Sequence, residues 1–215
     1  MAHDIEDLSR VIVATFPRMD VADQRLARQL YRQLARGRPL PLSSLGRFLA
    51  LPDNQVMSRI QRLGYTTCNQ AGEITGFLGI STDETRHGMS MNGNKSYAWC
   101  AWDTLFIPEL AGAEALVTSS CASTGQPIRL MVTPEGARSD EAADIVVSFL
   151  APDQEKIDEN VVSHFCCHVN FFCCREAGKE WTSRHEGTFL LSLKDAFETG
   201  RRVNAARYAA VLEKN

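Results

Sequence analysis

Apolar residues recur at helical spacing along the first third of the chain. Asp20 stands where a helix cap belongs, ahead of a stripe made by Ala27, Leu30, Tyr31 and Leu34, and Gly37 and Pro39 end the pattern. A short second helix fits residues 43–50, with Leu45, Phe48 and Leu49 turned inward. Pro52-Asp53 opens a third, whose Val56, Met57, Ile60 and Leu63 share one face and whose Gly64 closes it. The period then shortens towards two. Residues 65–68 and 73–79 read as strands around a turn at Asn69-Gln70-Ala71-Gly72. Three helices followed by a hairpin predict a winged-helix-like module over residues 1–80.

Beyond residue 80 the pattern is mostly that of strands. Residues 86–91 alternate loosely and stop at Asn92-Gly93, a strong hairpin signal. Further strands are expected at 115–119, 128–133, 145–150 and 165–172, punctuated by Gly125-Gln126-Pro127 and Pro134-Glu135-Gly136. Helices are expected over 98–106, 153–161 and 175–183, and from 193 towards 212. The fold class is therefore α+β: the N-terminal module, then a mixed or antiparallel sheet-based catalytic domain with flanking helices over residues 81–215.

The chain has 215 residues, 44% of them hydrophobic and 23% charged, which suits a water-soluble globular protein with a real core. Its net charge of −3 implies no general attraction to nucleic acid or to an anionic membrane. The acidic start and the short run Val11-Ile12-Val13-Ala14 do not make an export signal, so a cytoplasmic, thiol-reducing location is expected. The seven cysteines, an odd number that includes two adjacent pairs, then read as free thiols rather than a disulfide framework.

Two segments concentrate the chemistry. In Tyr97-Ala98-Trp99-Cys100-Ala101-Trp102-Asp103 a thiol stands three residues before a carboxylate, so on a helix both would share a face. Cys100 would lie in a first turn, where the helix dipole favours a thiolate, and Asp103, among Trp99, Trp102 and Phe106, would be prone to hold a proton. In Phe165-Cys166-Cys167-His168-Val169-Asn170-Phe171-Phe172, strand alternation places Cys166 with His168 and Asn170 on a mixed face and Cys167 on an apolar one. Cys166 is then the candidate for reactivity and Cys167 for packing. No C-x₂₋₄-C pair suggests structural zinc. Two soft sulfurs and a proton-carrying oxygen suit cleavage of a bond to a soft metal.

Both segments closely resemble motifs of the bacterial organomercurial (alkylmercury) lyases. So do Ser120-Cys121-Ala122-Ser123-Thr124-Gly125-Gln126-Pro127, Glu180-Trp181 and His185-Glu186-Gly187. The resemblance implies an enzyme that cleaves carbon–mercury bonds, with Cys100, Asp103 and Cys166 as its catalytic and mercury-binding residues. By the same resemblance Cys121 is structural, while Cys68, Cys173 and Cys174 fall outside the pattern; Trp102 and Asn170 stand where other residues are usual. It implies no resident cofactor: mercury is substrate and product, Cys100 binds it first, and small thiols or a mercuric reductase collect the ion.

A metal-responsive transcriptional regulator is the competing reading. Arg25, Arg28, Arg32, Arg36, Arg38, Arg47, Arg59 and Arg62 crowd the N-terminal module against Asp23 and Asp53. The third helix offers few base-reading groups beyond Asn54, Gln55, Ser58 and Arg59, so no nucleic-acid partner and no membrane partner is expected.

Overall fold

Residues 4–139, 144–152 and 160–212 are described by a computed structural model. Its first helix, α1 (Ile5–Thr15), was not anticipated. Asp4 caps it by accepting the Glu6 N–H at 2.9 Å, and Leu8 and Ile12 bury its inner face. Helix α2 (Val21–Leu34) begins as expected at Asp20, in a reciprocal box with Asp23. Helices α3 (Leu42–Leu49) and α4 (Asp53–Leu63) follow. Their buried stripes are narrower than the periodicity suggested. Leu45, Val56, Ile60 and Leu63 are buried, but Phe48 and Met57 are exposed, because these short helices meet the core along one edge only.

Asp23 is wholly buried, and Arg59 and Arg62 of α4 each reach its carboxylate at 2.7 Å. Two of the arginines that read as a basic surface thus serve an internal ion pair, which locks α4 to the start of α2.

The expected hairpin is present as β1 (Thr66–Cys68) and β2 (Ile74–Phe77). It does not stand free as a wing. β2 pairs with β3 (Ile80–Ser81), and the hairpin forms one end of an eight-stranded antiparallel sheet. That sheet continues through β5 (Asn94–Ala98), β4 (His87–Met91), β6 (Ala115–Ser120), β7 (Pro127–Thr133) and β8 (Gly136–Arg138). Asn92 and Gly93, at φ 49° and 77°, supply the two left-handed residues that the tight β4–β5 turn requires. A second, three-stranded sheet places β9 (Val146–Leu150) between β10 (Phe171–Phe172) and β11 (Thr188–Ser192).

Helix α5 (Asp103–Ala111) starts later than expected, because Ala98 is still paired in the sheet with Ile80 and His87. It also runs through Pro108 to Gly112. Proline's own φ is helical and removes one backbone bond, a loss offset by burial of Leu105, Ile107 and Leu110. Helix α6 (Arg175–Thr182) lies where anticipated. Helix α7 (Leu193–Arg207) ends before residue 212 and packs on both α1 and α5. Most of the helix expected over 153–161 falls outside the described residues. No helix among the described residues is long and apolar enough to cross a membrane.

The expected strand at 165–172 is corrected. Only Phe171–Phe172 pairs; Cys166–His168 form a turn of 3₁₀ helix. Side chains supply the bonds a ladder would have made. The Ser148 hydroxyl donates to the His168 carbonyl at 2.7 Å and accepts the Asn170 N–H at 3.0 Å, and the Asn170 amide donates to the Cys167 carbonyl at 3.0 Å.

Candidate active site

The chain leaves β5 at Ala98, turns through Cys100 and enters α5 at Asp103. Within this turn the Cys100 N–H donates to Asp103 Oδ2 at 2.9 Å, so thiol and carboxylate are held together by backbone rather than by a shared helix face. The Thr104 hydroxyl donates to the Ala101 carbonyl at 2.7 Å and steadies the same turn. A backbone cross-link joins the two chemical segments: the Ala101 N–H donates to the Val169 carbonyl at 3.2 Å, beside the 3₁₀ turn that carries Cys166, and the Trp102 and Phe165 rings pack edge to face across the same join.

As a result the Cys100 and Cys166 sulfurs and an Asp103 oxygen lie within 4.8 Å of one another. All three residues are buried, at 0%, 6% and 6% exposure respectively, and they make the one such cluster of metal-ligating side chains among the described residues. Cys167 is exposed, and its thiol donates to the Ser163 carbonyl at 2.8 Å. The packing role expected for it from strand alternation is therefore wrong: the tight turn sends Cys166 inward and Cys167 out.

Burial dominates the electrostatics. It pushes the Asp103 carboxyl up to about 7, although hydrogen bonds from the Cys100 thiol and N–H pull the other way. Burial likewise pushes the Cys100 thiol well up, helped by the neighbouring Cys166 and Asp103. A dipole-stabilised Cys100 thiolate, expected from a helix first turn, is not what the fold provides. Cys100 precedes α5 and is shut off from water.

Gly79 explains how the carboxylate fits. A Cβ at this position would lie 2.5 Å from Asp103 Oδ1, and its φ of +99° belongs to the region glycine alone tolerates well. The next carbonyl back, that of Leu78, accepts a 2.9 Å hydrogen bond from the Tyr31 hydroxyl. Trp102, beside Asp103, is fixed by its indole N–H donating to the Ala196 carbonyl at 3.0 Å. Asn170 does not face the thiols with a free amide; it braces the Cys166 turn and accepts a 3.1 Å bond from Arg86.

A cleft opens onto this cluster, and Asp103 and Cys166 are among the residues that line it. Its walls are largely aromatic: Phe16, Tyr31, Trp99, Phe106, Phe165 and Tyr208. Cys100, wholly buried, does not line it. Tyr31 and Gly79 left no functional signal in the sequence, since one reads as helix core and the other as a strand end. Cys121 is buried in a separate place, near Cys173, and Cys68 is exposed on β1.

Comparison with known proteins gives a consistent result. The family model described as MerB, alkylmercury lyase, matches residues 80–204. An alkylmercury lyase of Pseudomonas putida is 38% identical over 174 residues, covering 81% of this chain and 80% of that one. Another, from Staphylococcus epidermidis, is 33% identical over 203 residues, covering 94% and 92%. Among solved structures, the mercury-bound form of MerB2 superposes with a TM-score of 0.75 at 21% identity, covering 93% of this chain and 96% of that one. That likeness concerns the fold.

Proposed function

Because this chain belongs to the alkylmercury lyase family, we propose that it cleaves the carbon–mercury bond of organomercurials by protonolysis at Cys100, Asp103 and Cys166. The observation that carries the reading is the burial of two thiols and one carboxyl within 4.8 Å of each other beside an apolar cleft.

The substrate is an organomercury cation delivered as a small-thiol complex, R–Hg–SR′. Cys166 lines the cleft, whereas Cys100 is wholly buried and does not, so Cys166 is the sulfur an incoming metal meets first, the reverse of the order expected from the sequence. Its thiol exchanges with R′SH to give R–Hg–S(Cys166), in keeping with the preference of a soft metal for sulfur. Cys100 then adds to mercury, and its proton passes to Asp103, whose carboxylate oxygen lies within 4.8 Å of the Cys100 sulfur. Electron density from two sulfurs raises the charge on the mercury-bound carbon. A free carbanion is far too basic to leave, so Asp103 delivers the proton to carbon as the bond breaks. A carboxyl that titrates near 7 is poised both to take and to give that proton at neutral pH.

The balance is R–Hg–SR′ plus two cysteine thiols giving R–H, R′SH and mercury held by Cys100 and Cys166. External thiols, or a mercuric reductase, remove the ion. No resident cofactor enters the scheme.

The test is release of benzene from a phenylmercury–thiol complex in the presence of excess monothiol. The wild-type chain should turn over, and Cys100→Ser and Cys166→Ser should each lose turnover while keeping the wild-type circular dichroism. A Cys166→Ser chain that cleaves at the wild-type rate refutes the two-sulfur scheme.

A further inference from the structure

Cys121 and Cys173 take no part in that reaction and yet sit close together. Cys121 follows β6 and opens a turn closed by two backbone bonds, Cys121 N–H to Gln126 at 2.8 Å and Gly125 N–H to Cys121 at 2.9 Å. The turn lies across the end of β10, where the Ala122 N–H donates to the Phe171 carbonyl at 3.0 Å. It is tied to α6 as well, through the Ser123 hydroxyl and the Ala177 carbonyl at 3.0 Å. These contacts bring Cys121 against Cys173. The two thiols influence each other's titration, and the Thr124 hydroxyl, which also acts on the Cys121 thiol, lies 3.7 Å from the Cys173 sulfur.

The surroundings of Cys121 are those of an anion rather than of a packing side chain. Burial pushes its thiol up, but the Thr124 hydroxyl and the backbone N–H groups of Cys173, Thr124 and Ser123 outweigh it and bring the thiol down to about 7. Cys121 is 2% exposed, while Cys173 is half-buried and gives the pair access to solvent. No third histidine or carboxylate joins these sulfurs in a metal-ligating cluster among the described residues. Zinc asks for a fuller set of donors. A soft ion content with two sulfurs does not.

We propose that Cys121 and Cys173 form a second mercury site, which takes mercuric ion from small-thiol complexes and holds it between two sulfurs. The exchange balances as R′S–Hg–SR′ plus Cys121 thiolate and Cys173 thiol giving the protein-bound ion, one R′S⁻ and one R′SH. It rests on the lyase reading only for the source of the ion. Mercury expelled from Cys100 and Cys166 by external thiols leaves as such a complex, and the second pair recaptures it.

The test uses the full chain with Cys100→Ser and Cys166→Ser, which empties the first site. The protein is loaded with mercuric chloride, challenged with monothiol, desalted and weighed by native mass spectrometry. About one mercury per chain should survive a monothiol concentration just sufficient to strip singly held metal, since two sulfurs held together compete with free thiol better than one. Adding Cys173→Ser should lower retention at least tenfold. Cys121→Ser should do the same; should that buried variant fail to fold, the half-buried Cys173 position decides alone.

Loss of all mercury from the double variant overturns the proposal. So does retention that survives Cys173→Ser, or retention that Cys174→Ser removes and Cys121→Ser leaves. Benzene release by the chain with Cys100 and Cys166 intact is measured in parallel, and Cys173→Ser alone should leave its rate unchanged. A chain that binds the ion at Cys121 and Cys173 but releases no benzene upholds the second site and sinks only the lyase reading.

Discussion

Replacing Asp103 with asparagine should change how stability depends on pH, and by a large amount. The carboxyl is buried, and in the fold it titrates at about 7 instead of 3.8. Between those values the folded chain holds a proton that the unfolded chain has released. Stability from this group is therefore complete below about pH 4 and is lost as pH rises through about 7. At roughly 1.4 kcal/mol per pH unit, the loss is on the order of 4 kcal/mol. His87 runs the other way. Burial, with Arg86 nearby, lowers it to about 4, so its contribution rises with pH up to about 6.5.

The wild-type profile mixes the two effects; the difference between variant and wild type isolates Asp103. Asparagine keeps an oxygen for the Cys100 N–H but adds an amide N–H₂ that needs a partner, a constant offset of about 1–3 kcal/mol at every pH. Urea denaturation of both chains from pH 4 to pH 8 should show the variant gaining on the wild type by on the order of 4 kcal/mol across that range. Turnover should fall by about 10²–10⁴ with bound mercury retained, because the proton carrier is gone and the sulfurs remain. A stability difference that stays flat with pH would show that Asp103 titrates as an ordinary carboxylate, and the proposed proton transfer would fall with it.

Other substitutions separate the parts of the account. Cys167→Ala should change stability by about 0.5 kcal/mol or less and leave benzene release at the wild-type rate, because that side chain is exposed; an inactive but folded variant would contradict the geometry of the turn. Gly79→Ala should cost about 1–3 kcal/mol in thermal or urea unfolding and reduce turnover by about 10²-fold, since its Cβ would displace the Asp103 carboxylate; full activity would mean that the carboxylate need not sit where it does. Arg59→Ala should destabilise the chain by about 1–3 kcal/mol in urea, as Asp23 would keep only Arg62 as a cationic partner; an unchanged midpoint would count against the buried ion pair as a clamp on the N-terminal helices.

What could be read from the sequence depended on how local the cause was. The cap at Asp20, the Asn92-Gly93 turn and the strands at β6, β7 and β9 are set by neighbouring residues, and their positions follow from the pattern. The segment around Cys166 is different. Its conformation is decided by the Ser148 hydroxyl, which lies on another strand and satisfies backbone groups that a local reading assigns to a ladder. Strand alternation puts Cys166 on the reactive face; the structure instead buries it by way of a 3₁₀ turn and turns Cys167 outward. Helix α1 has no counterpart among the expected elements, although Asp4 ahead of its apolar run is an ordinary cap. The two chemical motifs stand out in the sequence. Their meeting is made by contacts such as the Ala101–Val169 bond and the Trp102–Phe165 packing, with room left by Gly79, none of which spacing can show.

The central claim is that two sulfurs and one carboxyl act together on one mercury atom. A single-turnover reaction tests it most directly: chain in excess over phenylmercury, no added thiol, quenched and assayed for benzene and for protein-bound mercury. The account predicts one benzene per phenylmercury bound, with the metal left on Cys100 and Cys166, and no benzene from Cys100→Ser although that variant still captures phenylmercury through Cys166. Benzene released by Cys100→Ser at the wild-type rate would contradict it.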